Sequence, residues 1–243
     1  MGEAFGWGLL SASSLVIGSL IAIWFHLSLR LIALIMAFGA GVLISAVSFD
    51  LIEEAAEKSS GQGWVAIGLF LGCGVFFGGD RLISHLGGGD RKDADGDQEG
   101  GSPLAIVLGT VLDGIPESMV IGLTIYEGGA VGAAYLAAVF ISNLPEAISS
   151  TTGLAASGWM KSRILWMWIG IALISGLASV AGYGLFQNSS PDTVAFVLAF
   201  AAGAILTMLA NTMMPEAYER GGKLVGVVTT LGFAVAFAIH SLG

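Results

Sequence analysis

Charge is scarce in this sequence. Asp, Glu, Lys and Arg make up 11% of its 243 residues, whereas an ordinary soluble domain carries about 25%. Basic residues are scarcer still: nine Lys and Arg without a cluster cannot neutralise a run of phosphates, which excludes nucleic acid as a partner. The one cysteine, Cys73, lies in an apolar segment and has no mate for an intramolecular disulfide. Histidine is limited to His26, His85 and His240, each in a loop or near a helix end, where an exposed side chain is expected rather than a ligand. Met1 to Phe25 lacks a basic leader and carries too long an apolar run for a signal peptide, so it reads as a retained first helix.

What is abundant is apolar length. Hydrophobic residues reach 55% and the mean hydropathy is +0.86, which excludes a soluble domain and predicts an all-α integral membrane protein. A hydrocarbon core of about 30 Å needs roughly 20 apolar residues per helix. Eight such segments are predicted, at 5–24, 31–54, 63–83, 103–125, 130–157, 161–187, 191–218 and 222–242. Trp7, Trp24, Trp64, Trp159, Trp166 and Trp168 fall near their ends, as in interfacial aromatic belts. Arg30, Arg81, Arg91, Lys92, Lys161, Arg163, Arg220 and Lys223 fall on one side and Lys58 on the other. Lys and Arg accumulate in cytoplasmic loops, so both termini are expected outside the cytoplasm.

The net charge is -9, but Asp90, Asp93, Asp95, Asp97 and Glu99 crowd one Gly-rich stretch. Residues 84–102 are read as an acidic cytoplasmic loop within a single 1–243 transmembrane domain, disordered from Gly87 to Gly101. The alternation of Asp93, Asp95 and Asp97 begins like a calcium loop, yet Gln98 stands where Gly is needed and no Glu follows at the twelfth position. Specific calcium binding there is not expected.

The second and seventh segments align without gaps. AFGAGVLISAVSFDLIEEA from Ala37 matches AFAAGAILTMLANTMMPEA from Ala199 in its opening Ala-Phe, its Ala-Gly and its closing Glu-Ala. With opposite directions in the membrane, helices 1–3 and 6–8 are predicted to be inverted copies around helices 4 and 5. That arrangement encloses a central site in many secondary transporters.

The fourth and fifth segments each carry Pro-Glu near the middle, Pro116-Glu117 and Pro145-Glu146. Residues four apart share a helix face about 5–6 Å apart, which stacks Asp113 with Glu117 and Ser142 with Glu146. Each proline removes a donor and frees the carbonyl four residues earlier, here Leu112 and Ile141, and Gly114 loosens the same turn. A charge at the bilayer centre costs about 2.5–3.5 kcal/mol on insertion scales and usually marks an ion path. Asp113, Glu117 and Glu146 have no basic residue in their own helices, so they are expected to share protons or hold a cation.

Paired Pro-Glu helices in an eight-helix plan, with a polar loop after the third, resemble the ZIP (zinc/iron permease) family of metal transporters across nearly the whole chain. Where the family shows His-Asn-x-Pro-Glu-Gly, this sequence has Asp113-Gly114-Ile115-Pro116-Glu117-Ser118; its second motif is Ser142-Asn143-Leu144-Pro145-Glu146-Ala147. The resemblance implies transport of a divalent cation, with Asp113, Glu117, Ser142 and Glu146 as primary ligands; Asn143 alone would be left to hold the second ion that parts of the family bind, because the sixth helix carries no acid. It also implies a unit of helices 1, 4, 5 and 6 moving against 2, 3, 7 and 8, and assembly as a homodimer. The family favours Zn2+; an oxygen-only ligand set without imidazole also suits Mn2+, and Fe2+ stands close behind. No cofactor beyond the transported ion is expected, and the lipid bilayer of a bacterial or archaeal plasma membrane is the expected setting.

Other polar residues have lesser parts. Asp50, Glu53 and Glu54 end the second helix as a solvated end or a metal-collecting vestibule, and Glu216 could guide release at the end of the seventh. A cation channel and a non-transporting metal sensor are the alternatives to a carrier. An intramembrane aspartyl protease would need Asp50 and Asp80 together at membrane depth, and both lie near helix ends.

Overall fold

The computed structural model describes residues 1–89, 91, 92, 94, 103–126 and 133–242. All regular structure among them is helical: α1 (Gly2–Trp24), α2 (Leu29–Lys58), α3 (Gln62–Ile83), α4 (Pro103–Tyr126), α5 (Ala133–Ala156), α6 (Lys161–Leu185), α7 (Pro191–Gly221) and α8 (Leu224–Leu242). Seven of these are long and apolar enough to cross a membrane. The exception is α5, where Ser142, Asn143, Glu146, Ser149, Ser150, Thr151 and Thr152 dilute the apolar sequence. Its polar side chains are mostly buried, so this helix is shielded by its neighbours.

Short polar starts open two of the helices. Ser28 accepts from Leu31 N–H at 3.3 Å and Ser190 from Thr193 N–H at 3.2 Å, with Pro191 in the first turn of α7. These caps satisfy donors that the helices cannot pair themselves. Helices α2 and α7 each pass through a π-helical stretch, Val47–Glu53 and Leu209–Met213, and Val47 and Leu209 occupy the same column of the alignment of these two segments.

The helices associate through small residues. A β-carbon on Gly41 of α2 would lie 1.9 Å from the Thr229 carbonyl oxygen of α8, and one on Gly203 of α7 would lie 2.0 Å from that of Leu69 in α3. In the reverse sense, a β-carbon on Gly72 of α3 would lie 1.9 Å from Phe200 O, and one on Gly232 of α8 would lie 2.1 Å from Phe38 O. Gly41 aligns with Gly203 and Phe38 with Phe200, so the α2–α8 and α3–α7 contacts repeat one another. Backbones this close gain dispersion contact that lipid cannot match. Gly41→Ala is therefore expected to destabilise the protein by about 1–3 kcal/mol through overpacking, seen as a lower thermal midpoint in detergent. Gly74→Ala, where the β-carbon meets nothing within 4 Å, serves as the neutral comparison.

Two apolar cores result. One draws on α1, α4, α5 and α6 through Ala12, Leu15, Ile106, Leu154, Ile164 and Trp168 among others. The larger is built mostly on α2 and α7, with side chains of α4 and α5 added. The expected belt of tryptophans is only partly found: Trp24 and Trp166 are exposed, but Trp168 is fully buried and donates from Nε1 to Thr151 Oγ1 at 2.8 Å. Thr151 supplies a buried acceptor that a position near the helix end does not reveal.

Candidate metal centre

The site begins where α3 ends. Its helix widens into the π-helical stretch Ser84–Gly88, broken at Gly87 with φ 88° and ψ 26°, a left-handed conformation that glycine takes most readily. Gly88 then lies against α4, where a β-carbon would come within 2.7 Å of the Ala105 carbonyl oxygen. The turn sends Arg91 and Lys92 into the bundle, and both side chains are about 1% exposed. Gly109 of α4 makes the room: a β-carbon there would lie 2.4 Å from Arg91 Cδ.

Asp113, Glu117, Ser142, Asn143 and Glu146 are all buried. Direct packing between α4 and α5 is slight, and what joins their acids is the inserted pair. The Arg91 guanidinium grips Asp113 two-fold, Nε to Oδ2 at 3.0 Å and Nη2 to Oδ1 at 2.9 Å, the planar fork that arginine makes with a carboxylate. It also reaches Asp80 Oδ1 of α3 at 2.8 Å and Gly88 O at 3.2 Å. Lys92 Nζ stands 3.3 Å from Asp113 Oδ2 and 3.3 Å from Glu146 Oε2, and its carbonyl accepts from Ser149 Oγ. Glu117 lies within electrostatic reach of Glu146, Lys92 and Asp113. Burial works against the charge on Arg91 and Lys92, but the carboxylates outweigh it and hold both protonated above their ordinary range.

This corrects two expectations. Asp113 and Glu146 do have basic partners, which come from another part of the chain instead of their own helices. The Gly-rich stretch is also not wholly a solvated loop, because Arg91 and Lys92 are buried and Ala94 is partly buried against the larger core. Asp93, Asp95 and Asp97 lie outside the described residues. Two charges thus leave the loop count, and Arg30, Arg81, Lys161, Arg163, Arg220 and Lys223 remain opposed to Lys58.

The two prolines have different surroundings. Pro145 meets α2 at Gly39, where a β-carbon would be 2.9 Å from its Cγ. Pro116 lines an apolar groove of about 340 Å³ with Phe196 and Phe200 of α7. Among the described residues no three His, Cys, Asp or Glu converge closely enough to hold an ion as they stand. Away from the centre, Asp50 Oδ1 faces His240 Nδ1 at 2.8 Å, so this histidine has a partner, and Glu54 pairs with Lys58 at 3.5 Å. Asp50 and Asp80 each face a separate cationic or imidazole partner.

Known proteins resemble this chain in sequence. The chain is 28% identical over 211 residues to the zinc transporter GufA of Myxococcus xanthus, covering 81% of each chain. It is 23% identical over 330 aligned positions to human zinc transporter ZIP11, covering 98% of this chain and 95% of that protein. Similarity to two zinc transporters over most of the chain supports the resemblance to the ZIP family. No family model matches the chain. The chain departs from the ZIP motif at Asp113, and that residue pairs with both inserted cations, Arg91 and Lys92. Sequence inspection missed Arg91, Lys92 and Asp80; the only signal was two adjacent cations just past a glycine run at a helix end.

Proposed function

We propose that this chain is a membrane transporter of divalent metal cations, with Zn2+ the first substrate and Mn2+ and Fe2+ next. The observation that carries this reading is the burial of Asp113, Glu117 and Glu146 at 3%, 3% and 6% exposure on two consecutive helices. Three acids are kept from lipid and water at a place where apolar side chains would pack more stably, which fits a path for cations. The relatives named as zinc transporters support the substrate. Asp113, Glu117, Ser142, Asn143 and Glu146 would supply oxygen ligands once the inserted cations withdraw.

The matched glycine contacts and the aligned π-helical stretches support an eight-span plan in which helices 1–3 and 6–8 are inverted copies. The apolar core confined to α1, α4, α5 and α6 supports a unit that moves against α2, α3, α7 and α8. The reading places the chain in a bacterial or archaeal plasma membrane with both termini outside, as a homodimer.

Purified protein in liposomes is expected to take up Zn2+ with saturation at low concentration. Uptake that rises linearly with ion concentration would identify a channel. Zinc binding without uptake would identify a sensor, and neither binding nor uptake would overturn the metal reading.

A further inference from the structure

We propose that Arg91 and Lys92 are tethered counter-cations that compete with the transported metal for Asp113 and Glu146. The proposal rests on the reading of this centre as a metal site, and adds a determinant of its affinity that the helix motifs do not contain. The two side chains occupy the position that a dication would need. Lys92 Nζ is shared between one oxygen of Asp113 and one of Glu146, and Arg91 covers both oxygens of Asp113. A dication that accepts those same oxygens cannot share them with an ammonium and a guanidinium at these distances, because like charges would meet in a site closed to water.

The insertion is built into the fold. Gly87 turns the chain, Gly88 and Gly109 clear the way along α4, Asp80 of α3 holds the far side of the guanidinium, and Ser149 of α5 holds the Lys92 carbonyl. Seated, the pair replaces two positive charges of a metal ion with two of the protein, so the acids remain neutralised in the empty carrier. Unseated, it leaves an uncompensated acidic centre that draws a dication in. The apparent affinity for metal is the intrinsic affinity reduced by the fraction of molecules whose site is free. A pair seated about nine tenths of the time would weaken binding roughly tenfold.

The test uses the purified full-length chain and ZnCl2. Calorimetry compares wild type, the double variant Arg91→Ala with Lys92→Ala, and Gly109→Ala. The last keeps every charge and crowds Arg91 out of its slot. Tighter zinc binding is expected in both, by about tenfold or more in the double variant and about threefold in Gly109→Ala. Limited trypsin digestion of the wild type, read by mass, reports the pair directly: cleavage after Arg91 or Lys92 should be slow without metal and faster with saturating zinc. If zinc binds but neither cleavage nor the Gly109→Ala affinity changes, the competition is overturned and the metal site stands. If no form binds zinc, the metal site itself is overturned, and the competition with it.

Discussion

Glu117→Gln is expected to lower zinc affinity and uptake by about 100-fold or more. The change keeps shape and volume and removes one formal charge from a site buried at 3% exposure. Outer-shell partners of a metal already account for about 10–100-fold in affinity, and a direct carboxylate ligand should exceed them; 100-fold corresponds to about 2.8 kcal/mol. Glu146→Gln is less clean, because Glu146 also holds Lys92 at 3.3 Å. Losing that partner loosens the inserted lysine and offsets part of the loss, so its effect should be smaller than that of Glu117→Gln. Ser142→Ala, which removes a neutral oxygen, should cost less than either. Calorimetry and liposome uptake measure all three; a Glu117→Gln protein that binds zinc as the wild type does would remove Glu117 from the site.

The second large effect concerns the metal-free protein. Removing Arg91 and Lys92 together leaves Asp113 without its buried cations and Glu146 without Lys92. Breaking a buried pair by deleting one partner costs about 3–5 kcal/mol, since the remaining charge can neither reach water nor find a substitute. At about 2–4 °C per kcal/mol for a chain of this size, the thermal midpoint in detergent should fall on the order of 10 °C. Zinc should restore a good part of that, because a ligand at 100 times its dissociation constant stabilises by about 2.7 kcal/mol. In the wild type zinc must first displace the pair, so its stabilising shift should be smaller. A double variant as stable as the wild type without metal would show that these ion pairs contribute nothing to the fold.

Much of this protein is legible locally. A membrane helix must be apolar along its whole length and must satisfy its own backbone, so α1, α2, α3, α4, α6, α7 and α8 declare themselves in sequence within a few residues of their observed ends. The Pro-Glu pairs declare themselves for the same reason: an acid amid apolar residues has to be buried by other parts of the protein, and Glu117 and Glu146 are. The tryptophans misled at Trp168, because nearness to a helix end does not say which face of the helix meets lipid.

The charge balance of the centre was decided by tertiary structure alone. Helical periodicity reports which side chains share a face, and so it joined Asp113 with Glu117 and Ser142 with Glu146. It carries nothing about a cation arriving from another segment. Arg91 and Lys92 look in sequence like loop charges; what makes them site residues is the turn at Gly87, the gap left by Gly109 and the anchor at Asp80. Sequence by itself determined that this chain lives in a membrane and buries carboxylates there. Only the seating of the turn after α3 between α4 and α5 decided which cations neutralise them, because ion pairing depends on distance in space and the partners lie 22 and 54 residues apart along the chain for Arg91 with Asp113 and Lys92 with Glu146.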